Sequence, residues 1–230
     1  SGVHIPLLLF PAFIPAALSI VLVPAISSAL ARKNYATINQ WIAIAIRLSA
    51  LIGCYAATIF FLYGDELAEK LFHIENNNQY MHILAPIFFF YYVQSPLMSA
   101  LQAIDGAKIA MWNSVYGGIG KLACMLLFAS IPAVAINGAI IAIGFGVLLT
   151  TFLHLFSLKA VDRIRIPFLS FFMPYLCFLV AIFIPLKTTS SIYFDIGLSI
   201  AVLTLLLLLT KQIKWRDFLH LYQLLRKRTS

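Results

Sequence analysis

Residues 133–165 read AVAINGAIIAIGFGVLLTTFLHLFSLKAVDRIR. A stretch free of Asp, Glu, Lys and Arg from Ala133 to Leu158 gives way at once to Lys159, Arg163 and Arg165. An α-helix rises 1.5 Å per residue, so about twenty apolar residues cross about 30 Å of hydrocarbon. This run is long enough. The cations at its exit suit a helix end held at cytoplasmic headgroups.

The same pattern extends in both directions. Six further apolar runs occur at Pro6–Leu30, Trp41–Tyr63, Tyr80–Leu101, Ile109–Ile131, Pro167–Leu186 and Ile192–Thr210. The cations sort onto alternate connections. Arg32 and Lys33 occupy the first, Lys108 the third, and the three residues named above the fifth. Lys211, Lys214, Arg216, Arg226, Lys227 and Arg228 follow the last run. The opposite side has only Lys70, among Asp65, Glu66, Glu69 and Glu75, and Lys187. The positive-inside rule then expects an all-α polytopic protein with seven transmembrane helices. Its C-terminus is expected in the cytoplasm and the first residue outside.

Composition agrees with that class. The chain is 62% hydrophobic and 10% charged, with a mean hydropathy of +0.96. Seven spans use up nearly all of its 230 residues and leave no room for a soluble catalytic domain. A net charge of +8 in a soluble protein would suggest nucleic acid. Cations placed by topology instead expect the lipid bilayer, with its anionic cytoplasmic leaflet, as partner and no nucleic acid. Cys54, Cys124 and Cys177 lie inside apolar runs without metal-ligand spacing and read as small packed residues. A chain entering the membrane from outside is also expected to have lost an N-terminal part, and an odd number of spans fits a repeat-built transporter cut in two.

Several residues stand out within the runs. Pro11, Pro15 and Pro24 interrupt the first and Pro96 the third, each removing an i to i−4 hydrogen bond. They serve either as static kinks or as hinges. Arg32–Gln40 reads as a polar connection, with Trp41 as an interfacial aromatic and Arg47 about 9 Å further in. Arg47 either snorkels to the headgroups or lines a substrate path. Gly64–Gln79 reads as an external connection with a short amphipathic helical turn over Glu66–Phe72. His73 and Glu75 are too few for a metal site there, and none is expected. Gln94 and Gln102 should face other helices or a cavity. Lys121 lies mid-run in the stretch that begins at Asn113. An ammonium there costs at least about 2.5 kcal/mol, so it donates to freed helix carbonyls or meets an anion in a cavity. Gly120-Lys121 fails as a P-loop because Val115 and Leu122 stand at diagnostic positions, and Gly144-Phe-Gly146 packs helices rather than binding a dinucleotide. Residues Lys214–Arg228 repeat apolar residues at Trp215, Phe218, Leu219, Tyr222 and Leu225, a helical spacing with basic residues off the stripe, as in a helix lying on the membrane surface. With no Ser-His-Asp set and no paired intramembrane carboxylates, neither an enzyme nor a cofactor is expected.

Read together, PLLLFPAFIPAALSIVLVPAISSALARKNY, Ser99-Ala-Leu-Gln102-Ala-Ile-Asp-Gly106, Gly117, Lys121 and Ile136-Asn137-Gly138-Ala139 resemble one superfamily. It is the multidrug/oligosaccharidyl-lipid/polysaccharide flippase superfamily, and within it the stage V sporulation protein B and polysaccharide-exporter branch. The resemblance covers nearly the whole chain as helices eight to fourteen of fourteen. It implies residues 1–158 as five helices of a C-terminal MATE-like lobe lacking its first helix. Residues 159–212 would be two additional helices, and 213–230 a cytoplasmic basic tail. The implied activity is alternating-access flipping of a lipid-linked oligosaccharide or peptidoglycan precursor across the cytoplasmic membrane of a bacterium. The implied partners are a polyprenyl-pyrophosphate-linked saccharide and the missing N-terminal lobe. Lys121, Arg47, Gln94 and Asn113 are then candidate substrate-binding residues, and Pro11, Pro15, Pro24 and Pro96 candidate hinges. The first run carries no arginine, so the cavity-arginine arrangement of the lipid II flippase branch does not transfer. Two alternatives stand beside flipping: a multidrug/cation antiporter, disfavoured by the lack of carboxylates in runs three to six, and a non-transporting remnant or cell-wall scaffold.

Overall fold

The computed structural model describes residues 4–72, 80–129, 135–184 and 192–213, and every regular element among them is helical. In chain order these are α1 (His4–Leu9), a 3-10 turn (Phe10–Ala12), α2 (Phe13–Ala31), α3 (Tyr35–Phe72), α4 (Tyr80–Ala103), α5 (Ala107–Ala129), α6 (Ala135–Lys159), α7 (Phe168–Ile182) and α8 (Ile192–Leu209). The chain is an all-α polytopic membrane protein. Its helices are apolar on nearly every side, as burial in lipid and in a bundle together require.

Five segments are long and apolar enough to cross a membrane: Ile5–Ala31, Tyr35–Phe72, Tyr80–Ala103, Asn137–Lys159 and Ile192–Leu209. The other two expected spans are also helical but differ. Helix α7 has 15 residues, about 22 Å, and so falls short of the hydrocarbon thickness over its described length. Helix α5 is diluted by Asn113, Ser114, three glycines and Lys121.

Helices α3 and α4 form the centre, and α2 packs across both. On the other side of α4 lies α6, which carries α5 at the periphery, while α7 and α8 dock on α3. The main core joins Ile42, Ile46, Phe89, Val93, Leu97, Phe171 and Phe178. Aromatic edges hold it together: Phe89 lies 4.9 Å from Tyr175 and Phe90 lies 5.1 Å from Tyr175, centroid to centroid.

Three boundaries differ from the sequence reading. The connection expected at Arg32–Gln40 shrinks to three residues. Lys33 takes a left-handed conformation (φ 54°), and the amides of Lys33 and Asn34 return to the carbonyls of Leu30 and Ala29. Asn34 then caps α3, its Oδ1 accepting the Thr37 amide at 3.1 Å. Trp41 therefore sits inside α3, and Arg47 lies about 18 Å from the start of that helix. The expected separate turn over Glu66–Phe72 is a continuation of α3, which runs about 57 Å and so exceeds the membrane core. In the first run, Pro11 falls in the 3-10 turn and Pro15 is the third residue of α2. Pro15 cannot donate to the Pro11 carbonyl, which accepts the Phe13 amide instead. The distortion is thus one tight turn. Pro24 and Pro96 lie inside continuous helices, as do Pro86 and Pro174. The loop with His73 and Glu75, Lys187 and the basic tail from Lys214 lie outside the described residues.

The basic connections share one end of the bundle. Asn39 near the start of α3 donates to the Arg163 carbonyl at 2.9 Å and accepts the Arg165 amide at 2.8 Å. The Arg163 guanidinium lies 5.1 Å from the Tyr35 ring centroid. At the opposite end His82 Nε2 lies 4.0 Å from Asp65 Oδ2, and Lys70 lies 5.9 Å from the Tyr193 ring centroid.

Candidate functional site

Where the 3-10 turn breaks the first run, the chain stands away from α4 and leaves a cavity of about 480 Å³. Phe13, Pro15 and Ala16 line one wall; Tyr91, Gln94, Ser95 and Met98 line the other. The wall from α4 supplies polarity at one-turn spacing, because residues three and four apart share a helix face. Ser95 Oγ meets Ser19 Oγ at 2.9 Å, and Ser19 also donates to the Pro15 carbonyl at 2.8 Å. Tyr92 donates to the Leu8 carbonyl at 2.6 Å, tying the displaced first segment to α4.

Gln94 differs from these neighbours. Its Oε1 is buried and has no hydrogen-bond partner among the described residues. A buried, unpaired amide oxygen costs about 1–3 kcal/mol, which a donor on a bound molecule can recover once the side chain turns toward the cavity. Among the described residues, no Lys, Arg, Asp or Glu lines this cavity. It suits a neutral, hydroxyl-bearing or amide-bearing group beside apolar surface.

The other candidate residues are placed elsewhere. Asn113 is buried at 6% exposure and its Nδ2 donates to Ser157 Oγ at 2.9 Å, so it joins α5 to α6. Lys121 is exposed on α5, with its stem across Gly146 of α6. A Cβ added at Gly146 would lie 2.8 Å from Lys121 Cβ. It makes no hydrogen bond or ion pair to another described residue, so the expected donation to helix carbonyls is not made there. Arg47 is 8% exposed on α3, inside the bundle rather than at its lipid surface. Of the four candidates only Gln94 lines the cavity, and Pro15 is the one candidate hinge that does.

Two features escaped the sequence reading. Ser19 and Tyr92 shape the cavity through contacts more than seventy residues apart, which no local pattern announces. His154 on α6 is wholly buried with neither ring nitrogen hydrogen-bonded among the described residues. Its signal was a lone imidazole inside the apolar run 133–158.

Comparison with known proteins gives two curated relatives. Stage V sporulation protein B of Bacillus subtilis (strain 168) is 32% identical over 202 residues, covering 88% of this chain and 39% of the relative. Sporulation protein YkvU of the same organism is 29% identical over 154 residues, covering 67% of this chain and 35% of the relative. The chain thus spans about two fifths of the length of these relatives. No protein-family model matches the chain, and no solved structure matches it.

Proposed function

The chain is homologous to the stage V sporulation protein B branch, and on that premise we propose that it forms part of a bacterial membrane flippase for a lipid-linked saccharide. The observation that carries this reading, beside the kinship, is the cavity between the proline-broken first run and α4. A mainly apolar cavity with a few polar groups on one wall, within the span of membrane helices, fits a substrate that joins sugar hydroxyls to a polyprenyl tail. The Gln94 amide, on turning into the cavity, accepts from a sugar hydroxyl or amide. The aromatic and methionine walls take the apolar part.

The pyrophosphate requires cations. Lys121, exposed at the edge of the α5–α6 pair, is a cation within the span that could meet it. The sorted charges support an orientation with Arg163 and Arg165 cytoplasmic and the first residue outside. The protein works without covalent chemistry, by alternating access of its helices.

The test is made in the complete gene product, in cells or proteoliposomes, with translocation of a polyprenyl-pyrophosphate-linked saccharide as the readout. Lys121→Gln is expected to lower flux at least tenfold with unchanged membrane abundance, the loss of one charge-assisted phosphate contact. Unchanged flux removes Lys121 from the substrate path. Absence of flux in the unsubstituted protein removes the flippase reading.

A further inference from the structure

His154 sits in the last third of α6, about 7.5 Å along the helix from Lys159 at the basic end. It is 0% exposed, and neither Nδ1 nor Nε2 has a hydrogen-bond partner among the described residues. Its neighbours fix where it faces. Thr150, one turn before it, packs on Gly117 of α5. Ser157, one turn after it, accepts from Asn113 of α5. His154 therefore lies on the α5 side of α6, between the levels of Asn113 and Gly117. Thr151, beside it, donates to the Phe90 carbonyl of α4 at 3.3 Å, so α4 closes the other flank.

The charged and titratable groups of the packed helices stand apart from it. Helices α4, α5 and α6 contain no carboxylate. On α5, Tyr116 is 53% exposed, Lys121 lies at the level of Gly146 about 12 Å toward the other end, Cys124 lies beyond it, and Lys108 belongs to the basic end. On α4, Tyr92 is committed to the Leu8 carbonyl, Tyr91 lines the cavity described above, and Tyr80 and His82 belong to the opposite end. A neutral imidazole with both nitrogens unpaired is unfavourable in this setting, and an imidazolium would be more so. An ionisable group held this way inside a membrane bundle signals function rather than packing.

The seam beside His154 lies at the edge of the bundle. Gly117 and Gly120 of α5 and Gly138 and Gly146 of α6 let the two helices approach closely, each glycine giving room to a side chain of the facing helix. Packed helices of this kind shift past one another in small shears. Helix α5 is also peripheral, held chiefly by α6.

We propose that His154 is an intramembrane proton-binding site, neutral while α5 packs on α6 and protonated when the seam opens and water enters from the basic end. Its unprotonated ring nitrogen takes a proton from hydronium, leaving water, and no other bond changes. Repacking of α5 expels the charge and returns the proton. As a coupling device this rests on the transporter reading; proton binding itself does not.

The test uses the protein in lipid nanodiscs with nitrogen-15 in its five histidines, assigned by comparison with His154→Gln. The expected result is conversion of the His154 ring signals to the imidazolium pattern between about pH 7.5 and 4.5. A ring that stays neutral throughout, or one that titrates as freely as an exposed histidine while α5 and α6 are cross-linked, overturns the proposal. The cross-link joins Gly117→Cys to Thr150→Cys, whose Cβ positions lie 3.0 Å apart, so the bond needs the two helices to part by a few tenths of an ångström to reach the roughly 3.5–4.5 Å of a disulfide. It is expected to suppress the conversion. The uncross-linked wild-type titration decides the matter even if the double variant fails to fold. In the complete protein, His154→Gln is expected to abolish at least tenfold the stimulation of flux by a pH gradient. Titration without any saccharide flux sinks the flippase reading and leaves the proton site standing. Flux with a permanently neutral His154 does the reverse.

Discussion

At the scale of the residue, the polar groups of this bundle divide into those already satisfied and those left for something else. Ser19, Ser95, Tyr92 and Asn113 each meet a partner across helices. Gln94 Oε1 and both His154 nitrogens do not, among the described residues. The distinction makes Gln94 testable in two directions. Gln94→Leu removes a buried unpaired acceptor, so it should stabilise the fold by about 1 kcal/mol while lowering saccharide flux. Thermal unfolding in detergent and a flux assay on the same variant separate the two effects. Lower stability together with unchanged flux would mean that the amide serves packing alone. The sequence showed that Gln94 must avoid lipid, because an amide in hydrocarbon is costly. It could not show that Gln94 faces Pro15 and Phe13, because that depends on the break in the first run.

At the scale of the element, helix ends and helix seams use different devices. Lys33, Asp105, Arg163 and Lys211 all adopt left-handed backbone conformations (φ 54° to 68°) at or shortly beyond the ends of α2, α4, α6 and α8. Behind three of them the chain folds back the same way, with amides of Asn34, Gly106 and Gln212 reaching the carbonyls of Ala29, Leu101 and Leu207. Gly106 is needed at its turn, since a Cβ there would lie 2.9 Å from the Leu101 oxygen. The α5–α6 seam depends instead on glycine as a hole. At Gly138 an added Cβ would meet the Phe128 backbone at 3.0 Å, and backbone cannot rotate away. Gly138→Ala should therefore cost about 1–3 kcal/mol. Gly118→Ala, with nothing within 4 Å, should be neutral or gain up to about 1 kcal/mol from helix propensity. Unfolding midpoints of the two variants measure the contrast. Equal midpoints would show that the seam is not tight.

At the scale of the whole molecule, Asn39, one turn into α3 beyond the first basic connection, is hydrogen-bonded to the fifth, so both connections lie on one face of the membrane. Trypsin added to inside-out vesicles should cut at Arg163 or Arg165, and right-side-out vesicles should resist. Asn39→Ala removes both hydrogen bonds to that connection, so cleavage should speed up several-fold with little loss of stability, about 1 kcal/mol or less for exposed bonds. Cutting confined to right-side-out vesicles would invert the orientation. Most of the architecture was legible beforehand, since apolar length and the sorting of Arg32, Lys33, Lys108, Lys159, Arg163 and Arg165 are local quantities that the bilayer reads directly. Helix type, order and the kinship to the sporulation branch needed nothing more. The boundaries at Tyr35 and Phe72 were missed because polar residues in a membrane protein read as loop, whereas helix continues wherever its backbone remains bonded. The sites were legible only as a set of residue types. Lys121, Arg47, Gln94 and Asn113 were equal candidates by chemistry. Packing separated them, seating Gln94 in a cavity, Asn113 in a seam, Arg47 in the interior and Lys121 at an edge. Hydrophobicity acts on each segment alone and so is written in the sequence, but proximity between helices is a property of how they pack, and only the tertiary structure decides it.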